Sequence, residues 1–358
     1  MEGSGVSAGV CRNLSADAED FIRRGPLYNH LLEPPSAWEW TSHGQALVLE
    51  LTNDSVLAAL SPCDLDHELA VRVYHLSLPI YFWLRHLVHK ICAEKAASTR
   101  PKCTRTVLVG LSAPQGFGKT TLLKFLEDRF RVDGLGCASL SIDDFYLTGA
   151  ELEAVATANA DNALMQVRGH AGTHDIPLGV ETLRALQGEA SGEAPVPRFH
   201  KAARSGKGDR CPKEAWSVAS TPCDVVILEG WMLGFKPVNE NELVHPGLVT
   251  VNKNLPLYQA WTDQVDIWCV AALSEYEHVT TWRLEAEHEM IASGKSGMDD
   301  AQIRDFVSRY MPAYETYCPS LHASAQTCGV DGKPSLFLEV DGNRTVISAC
   351  DAGVLPRE

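Results

Sequence analysis

The stretch VLVGLSAPQGFGKTTLLKFL, residues 107–126, constrains this chain more than any other part of it. It opens with a short apolar run rich in β-branched residues, which indicates a buried strand. It continues into TTLLKFLEDRF, where apolar residues recur every four positions, and this spacing indicates a helix. Gly116 and Gly118 lie between the two and permit a tight bend. Because such a bend aims backbone N–H groups and the positive end of the helix dipole at one point, the sequence predicts an anion-binding site here.

The bend matches the pattern G-x-x-x-x-G-K-[ST] of the phosphate-binding P-loop, with Ala113 in place of the first glycine. Alanine still permits close approach of the backbone, and the two later glycines remain. We expect Lys119 to reach the β- and γ-phosphates of a nucleotide, the Thr120 hydroxyl to bind Mg²⁺ and Thr121 to contact the α-phosphate. The alternative is a glycine-rich turn with an incidental lysine. The predicted nucleotide-binding residues are Gly116, Phe117, Gly118, Lys119, Thr120 and Thr121.

Two acidic residues follow other apolar runs. Asp143 lies in SIDDFYL after a predicted strand, and a carboxylate there can orient an acceptor hydroxyl and take its proton. The alternative is that Asp143 or Asp144 caps the next helix. In DVVILEGW, Glu229 follows four apolar residues at the end of a predicted strand. It is similar to a Walker B carboxylate, which acts on Mg²⁺ directly or through water. Taken alone, it is an ordinary acid at a strand end.

The order of apolar segments predicts the fold class. Buried strands are expected in TVLVGL, CASLSI, CDVVILEG, VDIWCVAAL and LFLEV, with helical patterns between them. This alternation predicts an α/β fold with a mostly parallel sheet and helices on both faces, and the P-loop motif places it among P-loop folds. We expect an N-terminal helical region over residues 1–100 and the kinase domain over residues 101–358. QGEASGEAPVP and residues 201–212 are predicted to be loops.

Charge and hydropathy narrow the classes of partner. The chain carries 31 basic and 46 acidic residues, a net charge of −15. This balance argues against bulk attraction to nucleic acid or to anionic lipid, and we expect neither partner. The most apolar stretch, LSLPIYFWLRHLVHKICAEK, is interrupted from Arg85 onward too early to span a bilayer. It predicts a buried amphipathic helix.

The cysteines and the N-terminus indicate the compartment. The 11 cysteines occur singly, without a C-x-x-C pair, which is typical of reduced thiols in an intracellular protein. A regulatory pair of Cys318 and Cys328 is the alternative. The segment MEGSGVSAGVCRNLSADAED has no apolar signal core and is too acidic for a transit peptide, so a transit peptide is expected to be absent or trimmed.

The absence of a guanine-binding motif argues against a GTPase. A GTPase would carry N-K-x-D for guanine, but Asn252-Lys253 is followed by Asn254-Leu255. Signatures of motor and transporter ATPases are also missing from the sequence. Nucleotide binding alone therefore does not identify the reaction.

A series of stretches extends beyond the P-loop: SAPQGFGKTT, SIDDFYL, RGHAGTHD, FHKAARSGKGDR, EGWMLGF and TWRLEAE. This series resembles the motifs of the plant-type D-glycerate 3-kinases, in the phosphoribulokinase, uridine kinase and pantothenate kinase branch of P-loop kinases. The resemblance runs from FIRRGPL to FVSRYMPAY, and the tail after residue 320 matches less clearly. It implies Mg²⁺-dependent transfer of the ATP γ-phosphate to the 3-hydroxyl of D-glycerate, giving 3-phosphoglycerate. In plants and algae this reaction closes photorespiration, so the chloroplast stroma is implied, with the cytoplasm as the alternative.

The resemblance also implies roles for single residues. Asp143 stands at the position of the catalytic base, and Arg283 in TWRLEAE matches a lid arginine that closes over the phosphates. The alternative for Arg283 is a helix-surface ion pair with Glu287, four residues on. Asp175, at the end of RGHAGTHD, matches an aspartate that binds acceptor hydroxyls. His170 and His174 lie four apart, but the glycine between them disfavours a helical zinc pair.

The acceptor carboxylate requires an arginine or lysine. PRFHKAARSGKGDR, residues 197–210, supplies a local basic cluster in an acidic protein, and the alternative is a solvated charged loop. The candidate acceptor-binding residues are Arg168, His174, Asp175, Arg198, Lys201, Arg204 and Arg210.

Two rival functions stay open at this point. The first is a related P-loop kinase that acts on another small acceptor. The second is an ATP-binding regulatory protein without turnover. The sequence leaves the oligomeric state open.

Overall fold

The computed structural model describes residues 14–97, 105–189, 192–294 and 297–353. The chain divides into two compact units, Met1–His86 and Leu87–Glu358. The domain boundary predicted between residues 100 and 101 lies outside the described residues.

The first unit is helical, as predicted. Its helices begin with capping side chains: Ser36 and Glu39 form a reciprocal capping box at the second helix, and Asp66 caps the fourth. Tyr74 packs against Gly44, where a Cβ atom would lie 2.2 Å from the Tyr74 hydroxyl. The helices from the N-terminus are α1 (Ala16–Arg23), α2 (Ala37–Thr52), α3 (Ser55–Ala58), α4 (His67–Val71) and α5 (Leu78–Ala97). Among the described residues, none of the helices combines the length and the apolar character that a bilayer crossing requires.

The second unit is built on a six-stranded sheet with the order β10-β9-β8-β1-β7-β2. Five strands are parallel, and only β10 runs antiparallel, against β9. The strands are β1 (Val107–Ser112), β2 (Cys137–Ser141), β3 (Gly192–Val196), β4 (Phe199–His200), β5 (Asp209–Arg210), β6 (Ser217–Thr221), β7 (Val225–Gly230), β8 (Ile267–Leu273), β9 (Ser335–Val340) and β10 (Val346–Ala352). β1, β7 and β8 are buried throughout, which explains their continuous apolar sequence. The P-loop kinase fold with a mostly parallel sheet is confirmed.

Helices flank this sheet. They are α6 (Lys119–Val132), α7 (Gly149–Ala158), α8 (Ile176–Arg184), α9 (Leu248–Asn254), α10 (Gln259–Thr262), α11 (His278–Ala292), α12 (Asp300–Ser308) and α13 (Met311–Thr327). α6 packs its apolar face, including Leu122, Leu126 and Phe130, into the core. Because β1, β2 and β7 are parallel neighbours, their carboxyl ends meet at one edge of the sheet.

One expectation and one alternative are corrected by the structure. Within QGEASGEAPVP, predicted to be a loop, Gly192–Val196 forms strand β3, which pairs antiparallel with β6 in a separate two-stranded sheet. An edge position tolerates Pro195, which the sequence pattern had suggested to be a breaker. Cys318 lies within α13 and Cys328 caps its end, so the helical rise separates them by about 15 Å, too far for a disulfide. All nine cysteines in the described ranges are free thiols.

Candidate active site

The bend between β1 and α6 adopts the conformation that its glycines permit. Gly116 has a φ of 84°, and Gly118, the N-cap of α6, has a φ of 99°. Both values lie in the left-handed region that favours glycine. The Phe117 side chain is buried, so this residue offers a ligand only its backbone. Thr120 and Thr121 follow in the first turn of α6, and the bend therefore presents backbone N–H groups at a helix N-terminus.

Lys119 is the first residue of α6, and its side chain turns back over the loop. Nζ donates hydrogen bonds of 3.0 Å to the carbonyl oxygens of Ala113 and Pro114. It also lies 4.0 Å from Glu229 Oε2. Burial lowers the pKa of Lys119, while the nearby carboxylates of Glu229 and Asp143 oppose that shift. The ammonium group is thus held directly over the P-loop.

Glu229 ends β7 beside the P-loop. Its register pairs it with Leu111 of β1 and Ser141 of β2. The side chain is buried, and Oε2 has no hydrogen-bond partner among the residues that the structure describes. Burial raises the pKa of Glu229, and Lys119 opposes this shift. A buried carboxylate oxygen without a partner is unfavourable unless a cation joins it, so this residue fits a magnesium-binding role.

Asp143 follows β2 in a short 3-10 turn. Oδ2 accepts a hydrogen bond of 2.6 Å from Lys201 Nζ, and Oδ1 accepts one of 2.7 Å from the Tyr146 hydroxyl. Burial alone would raise the pKa of Asp143, but Lys201 and the two hydrogen bonds outweigh it and lower the pKa to about 2. The low pKa keeps the carboxylate ionised near neutral pH, and the side chain is 28% exposed, so the carboxylate is accessible from solvent.

Asp144, the adjacent acid, takes a different role. Its Oδ2 lies 2.7 Å from Arg198 Nη1, and its Oδ1 accepts a hydrogen bond of 3.2 Å from the Phe199 amide. Burial raises the pKa of Asp144, and the Arg198 guanidinium opposes this shift. Asp144 therefore holds the segment around β4 in place through Arg198 and the Phe199 amide. Asp143 instead contacts Lys201 and Tyr146. Neither acid takes the alternative role of a helix cap, because Ser141 caps the turn and Thr148 caps α7.

Asp175 and Arg210 form an ion pair near the same edge of the sheet. Arg210 Nη2 lies 3.0 Å from Asp175 Oδ2 and donates a hydrogen bond of 2.8 Å to the Tyr146 carbonyl oxygen. Asp175 Oδ1 also caps α8 by accepting from the Leu178 amide. The Arg210 Nε group is buried and has no partner within the described part of the chain. Tyr146 therefore joins this pair to Asp143, its hydroxyl contacting one and its carbonyl the other.

Arg168 and Arg204 contact the charged loop and its neighbours. Arg168 Nη1 donates hydrogen bonds of 2.7 Å to two carbonyl oxygens of the segment 201–208, and its guanidinium lies over the Phe199 ring. Arg204 Nη2 lies 2.7 Å from Glu153 Oε1 on α7. These contacts hold the loop in place from both sides.

The two histidines of RGHAGTHD are buried and neutral. Burial lowers the pKa of His170 to about 4 and that of His174 to about 3. His174 stacks on Tyr146 with ring centroids 4.5 Å apart, and its Nδ1 lies 2.5 Å from the Tyr258 hydroxyl. His170 donates from Nε2 to the Arg309 carbonyl oxygen at 2.9 Å. These contacts leave the pair engaged in separate hydrogen bonds.

Similarity to known proteins decides the family. The chain is 37% identical over 346 residues to "D-glycerate 3-kinase, chloroplastic" of Arabidopsis thaliana, a match that covers 93% of this chain and 73% of that protein. The chain belongs to the D-glycerate 3-kinase family. The solved structure of a D-glycerate 3-kinase from Cryptococcus neoformans has a TM-score of 0.65 and 30% identity, covering 76% of this chain and 99% of that one. A probable ATP-dependent kinase of Saccharomyces cerevisiae is 34% identical over 269 residues, 70% of this chain and 89% of that protein.

This D-glycerate 3-kinase family member is a P-loop kinase, as the motif series predicted. A scan against models of protein families finds no match, so the assignment depends on whole-chain similarity. The predicted residues Lys119, Glu229 and Asp143 come together at the carboxyl edge of the sheet, and Lys201 joins them.

Arg283 of the kinase forms an ion pair with Glu287, the alternative that the sequence analysis left open for this residue. Its Nη2 lies 2.9 Å from Glu287 Oε2, and Glu287 is buried. The guanidinium is 41% exposed and its Cζ lies 6.0 Å from the Phe306 ring centroid on α12. Arg283 Nε is buried without a hydrogen-bond partner in the described ranges. The lid role therefore stays a prediction.

Sequence reasoning missed several residues of the site. Tyr146 was present in the SIDDFYL motif but was assigned no role, although its hydroxyl contacts the predicted base. The Tyr314 hydroxyl accepts a hydrogen bond of 3.1 Å from the Gln115 amide of the P-loop. Trp282 packs on Gly116. Tyr314 and Trp282 are distant in sequence from the loop, and only the tertiary structure brings them there.

Gly116→Ala is expected to destabilise the kinase more than Gly134→Ala. Both glycines have positive φ, 84° and 82°, so each alanine costs about 1 kcal/mol in backbone strain. A Cβ at Gly116 would lie 2.7 Å from Trp282 Cβ, whereas one at Gly134 meets nothing within 4 Å. Overpacking adds roughly 1–3 kcal/mol at Gly116. Thermal denaturation and ATP binding measure the difference, and equal stability of the two variants with unchanged binding would contradict this reading of the loop.

Proposed function

We propose that this chain transfers the γ-phosphate of ATP to the 3-hydroxyl of D-glycerate, giving 3-phosphoglycerate and ADP. One observation carries the proposal beyond family similarity. Asp143, ionised and partly exposed, lies between Lys201 and Tyr146 and close enough to Lys119 to influence its charge. An acid next to the P-loop lysine is where an acceptor hydroxyl meets the terminal phosphate.

The nucleotide is bound by the P-loop. Backbone N–H groups from Gly116 into the first turn of α6 and the Lys119 ammonium supply positive potential for the β- and γ-phosphates. Mg²⁺, when bound through Thr120 and Glu229, neutralises charge on the phosphates. In the described ranges, no group of three or more His, Cys, Asp or Glu side chains is arranged to hold a metal. Further magnesium ligands would therefore be water and the nucleotide itself, as is usual for this ion.

The acceptor hydroxyl is oriented by Asp143. As its oxygen forms a bond to the γ-phosphorus and the bond to the ADP oxygen breaks, the hydroxyl proton passes to the Asp143 carboxylate. The low pKa of Asp143 depends on Lys201, which is 60% exposed. An acceptor carboxylate that draws Lys201 toward itself weakens that ion pair and brings Asp143 closer to the basicity that proton transfer needs.

Arg210 is the best-supported ligand of the acceptor carboxylate. It is 15% exposed at the side chain, it is held by Asp175, and its buried Nε lacks a partner in the described residues. Tyr146 joins it to Asp143, so an acid bound at Arg210 places its other end near the base. His174 stacks on Tyr146 and Lys201 contacts Asp143, and both are proposed to line this pocket. Arg168, Arg198 and Arg204 are proposed to support it by fixing the surrounding loop.

Arg283 is proposed to act on the phosphates when α11 and α12 close. Its contact with Glu287 would then be exchanged for the negatively charged γ-phosphate. The exposed guanidinium and the unpartnered Nε support this proposal.

Arg210→Ala is expected to raise the KM for D-glycerate by about 10- to 100-fold, because a charge-assisted contact to the carboxylate is lost. The KM for ATP should change little. Arg210→Lys should recover only part of the loss, since lysine lacks the planar fork. Arg131→Ala is the control, because the Arg131 guanidinium pairs locally, with Glu127 and Asp128 on α6, and the KM of this variant for D-glycerate should stay at the wild-type value. Steady-state kinetics with each substrate varied in turn provide the test, and an unchanged KM for D-glycerate in Arg210→Ala would contradict the assignment.

An acceptor panel tests the proposed function as a whole. The purified chain is incubated with radiolabelled ATP, Mg²⁺ and D-glycerate, L-glycerate, ribulose 5-phosphate, uridine or pantothenate. Label should pass to D-glycerate. Transfer to another acceptor with none to D-glycerate would instead establish the related kinase.

The chloroplast stroma is the proposed location, with photorespiration as the setting. The name of the Arabidopsis relative supports it, and the cytoplasm is the alternative. Fractionation of the native protein in its own cells distinguishes the two.

A further inference from the structure

The turn between β9 and β10 reaches the P-loop through one side chain. Arg344 Nε donates a hydrogen bond of 2.9 Å to the Gly116 carbonyl oxygen. The guanidinium lies over the Trp282 ring, 4.5 Å from its centroid, and its Nη2 lies 3.6 Å from Glu285 Oε2. A single arginine thus contacts both the P-loop and helix α11.

Trp282 of α11 contacts both the P-loop and the β9–β10 turn. Its Cβ lies so close to Gly116 that no side chain could be added there without displacement. Its Nε1 donates a hydrogen bond of 2.6 Å to the Gly342 carbonyl oxygen in the same turn as Arg344. The P-loop, α11 and the β9–β10 turn are therefore interlocked at Gly116.

The backbone of Arg344 is unusual for a residue of its type. Its φ of 62° lies in the left-handed region, where glycine is favoured. The turn itself closes without the arginine side chain, because Asp341 Oδ1 accepts hydrogen bonds of 2.9 Å from the amides of Asn343 and Thr345. The guanidinium instead contacts the P-loop and α11.

The hydrogen bond from Arg344 to the Gly116 carbonyl oxygen restricts the orientation of the neighbouring peptide. In a trans peptide the carbonyl and the next N–H point in opposite directions. Fixing the Gly116 carbonyl therefore also fixes the direction of the Phe117 N–H, which donates a hydrogen bond of 3.3 Å to the Pro114 carbonyl oxygen. The contact from Arg344 thus stabilises the backbone turn from which the N-terminus of α6 begins.

We propose that Arg344 is a positioning residue for nucleotide binding, acting through the Gly116 carbonyl and through Trp282. It keeps the P-loop amides aimed at the phosphates and joins that loop to α11. The inference deepens the proposed function and rests on the P-loop as the ATP site. It assigns a role to a part of the chain where the family resemblance is weakest.

Arg344→Gly separates this role from stability. Glycine accepts the positive φ, so the fold should be retained and thermal stability should be equal or higher. Binding of a non-hydrolysable ATP analogue with Mg²⁺ is expected to weaken about five- to thirty-fold, through loss of a charge-assisted hydrogen bond. The KM for ATP should rise with it, and the KM for the acceptor should not. Arg344→Lys should bind at an intermediate level, because lysine can donate the bond but cannot stack as a plane.

Arg131→Ala is the control. Arg131 lies on the exposed face of α6, and this variant should bind nucleotide as the wild type does. Wild-type affinity in Arg344→Gly would overturn the inference. The inference would also be overturned if Arg344→Gly lost affinity for ATP and for the acceptor in equal proportion and melted at a lower temperature. That result would indicate a merely structural role. Nucleotide binding requires no acceptor, so these outcomes are independent of whether D-glycerate is the substrate.

Discussion

Asp143→Asn is expected to lower kcat by about 10²- to 10⁴-fold, the usual contribution of a positioned general base. Asparagine keeps the size of the side chain and its hydrogen bond from Tyr146 but cannot accept the acceptor proton. The P-loop amides and Lys119 are unaltered, so ATP should still bind. Kinetics with saturating substrates, together with a nucleotide-binding measurement on the same preparation, report both properties.

Asp144→Asn is the matched control, since the neighbouring acid contacts Arg198 and the Phe199 amide. It should change kcat far less. If Asp143→Asn kept most of its turnover, Asp143 would not be the base. If the wild-type chain bound ATP but turned over no acceptor, the regulatory alternative would be favoured.

The pH dependence follows from the same residue. The pKa of Asp143 is lowered to about 2, so the carboxylate is already ionised throughout the range in which the protein is assayed. The free enzyme should therefore show no acidic limb from this group between pH 5 and neutrality, a range that begins about three units above that pKa. Its contribution to stability is present above the unfolded pKa, near 3.8, and is lost as the pH falls through about 2.

Lys119→Met is expected to lower kcat/KM for ATP by about 10²- to 10³-fold, since the charge that faces the transferred phosphate is removed. Methionine preserves most of the length of the side chain and its packing. The variant also leaves the buried Glu229 without the nearby ammonium that offsets its charge. Weaker nucleotide binding should therefore accompany the slower reaction.

Lys124→Met provides the comparison, because Lys124 lies on the exposed face of the same helix. It should retain the kinetics of the wild type. Near-normal catalysis by Lys119→Met with normal catalysis by Lys124→Met would contradict the role given to the P-loop lysine.

The sequence predicted well the parts of the site that are local in the chain. β1, the bend and α6 are consecutive, so their pattern identified the P-loop and Lys119 directly. Asp143 and Glu229 were also found, because parallel strands bring residues at their carboxyl ends to one edge even when they are far apart in sequence. The fold class followed from the same alternation of strands and helices.

Long-range partners could not be predicted in this way. Lys201 reaches Asp143 across 58 positions, and Arg344 reaches Gly116 across 228. Neither spacing carries a periodic signal, because these contacts depend on how loops pack after the sheet has formed. The β3 strand was missed for a related reason: its pairing with β6 is a tertiary contact that Pro195 concealed.

Identification of the product by ³¹P NMR tests the central claim most directly. The chain, ATP and Mg²⁺ are incubated with D-glycerate, and the phosphorus–proton coupling of the product shows which carbon carries the phosphate. We expect ADP and 3-phosphoglycerate in equal amounts, and no product with Asp143→Asn over the same period. Phosphate on carbon 2, or ATP consumption that does not depend on D-glycerate, would contradict the account.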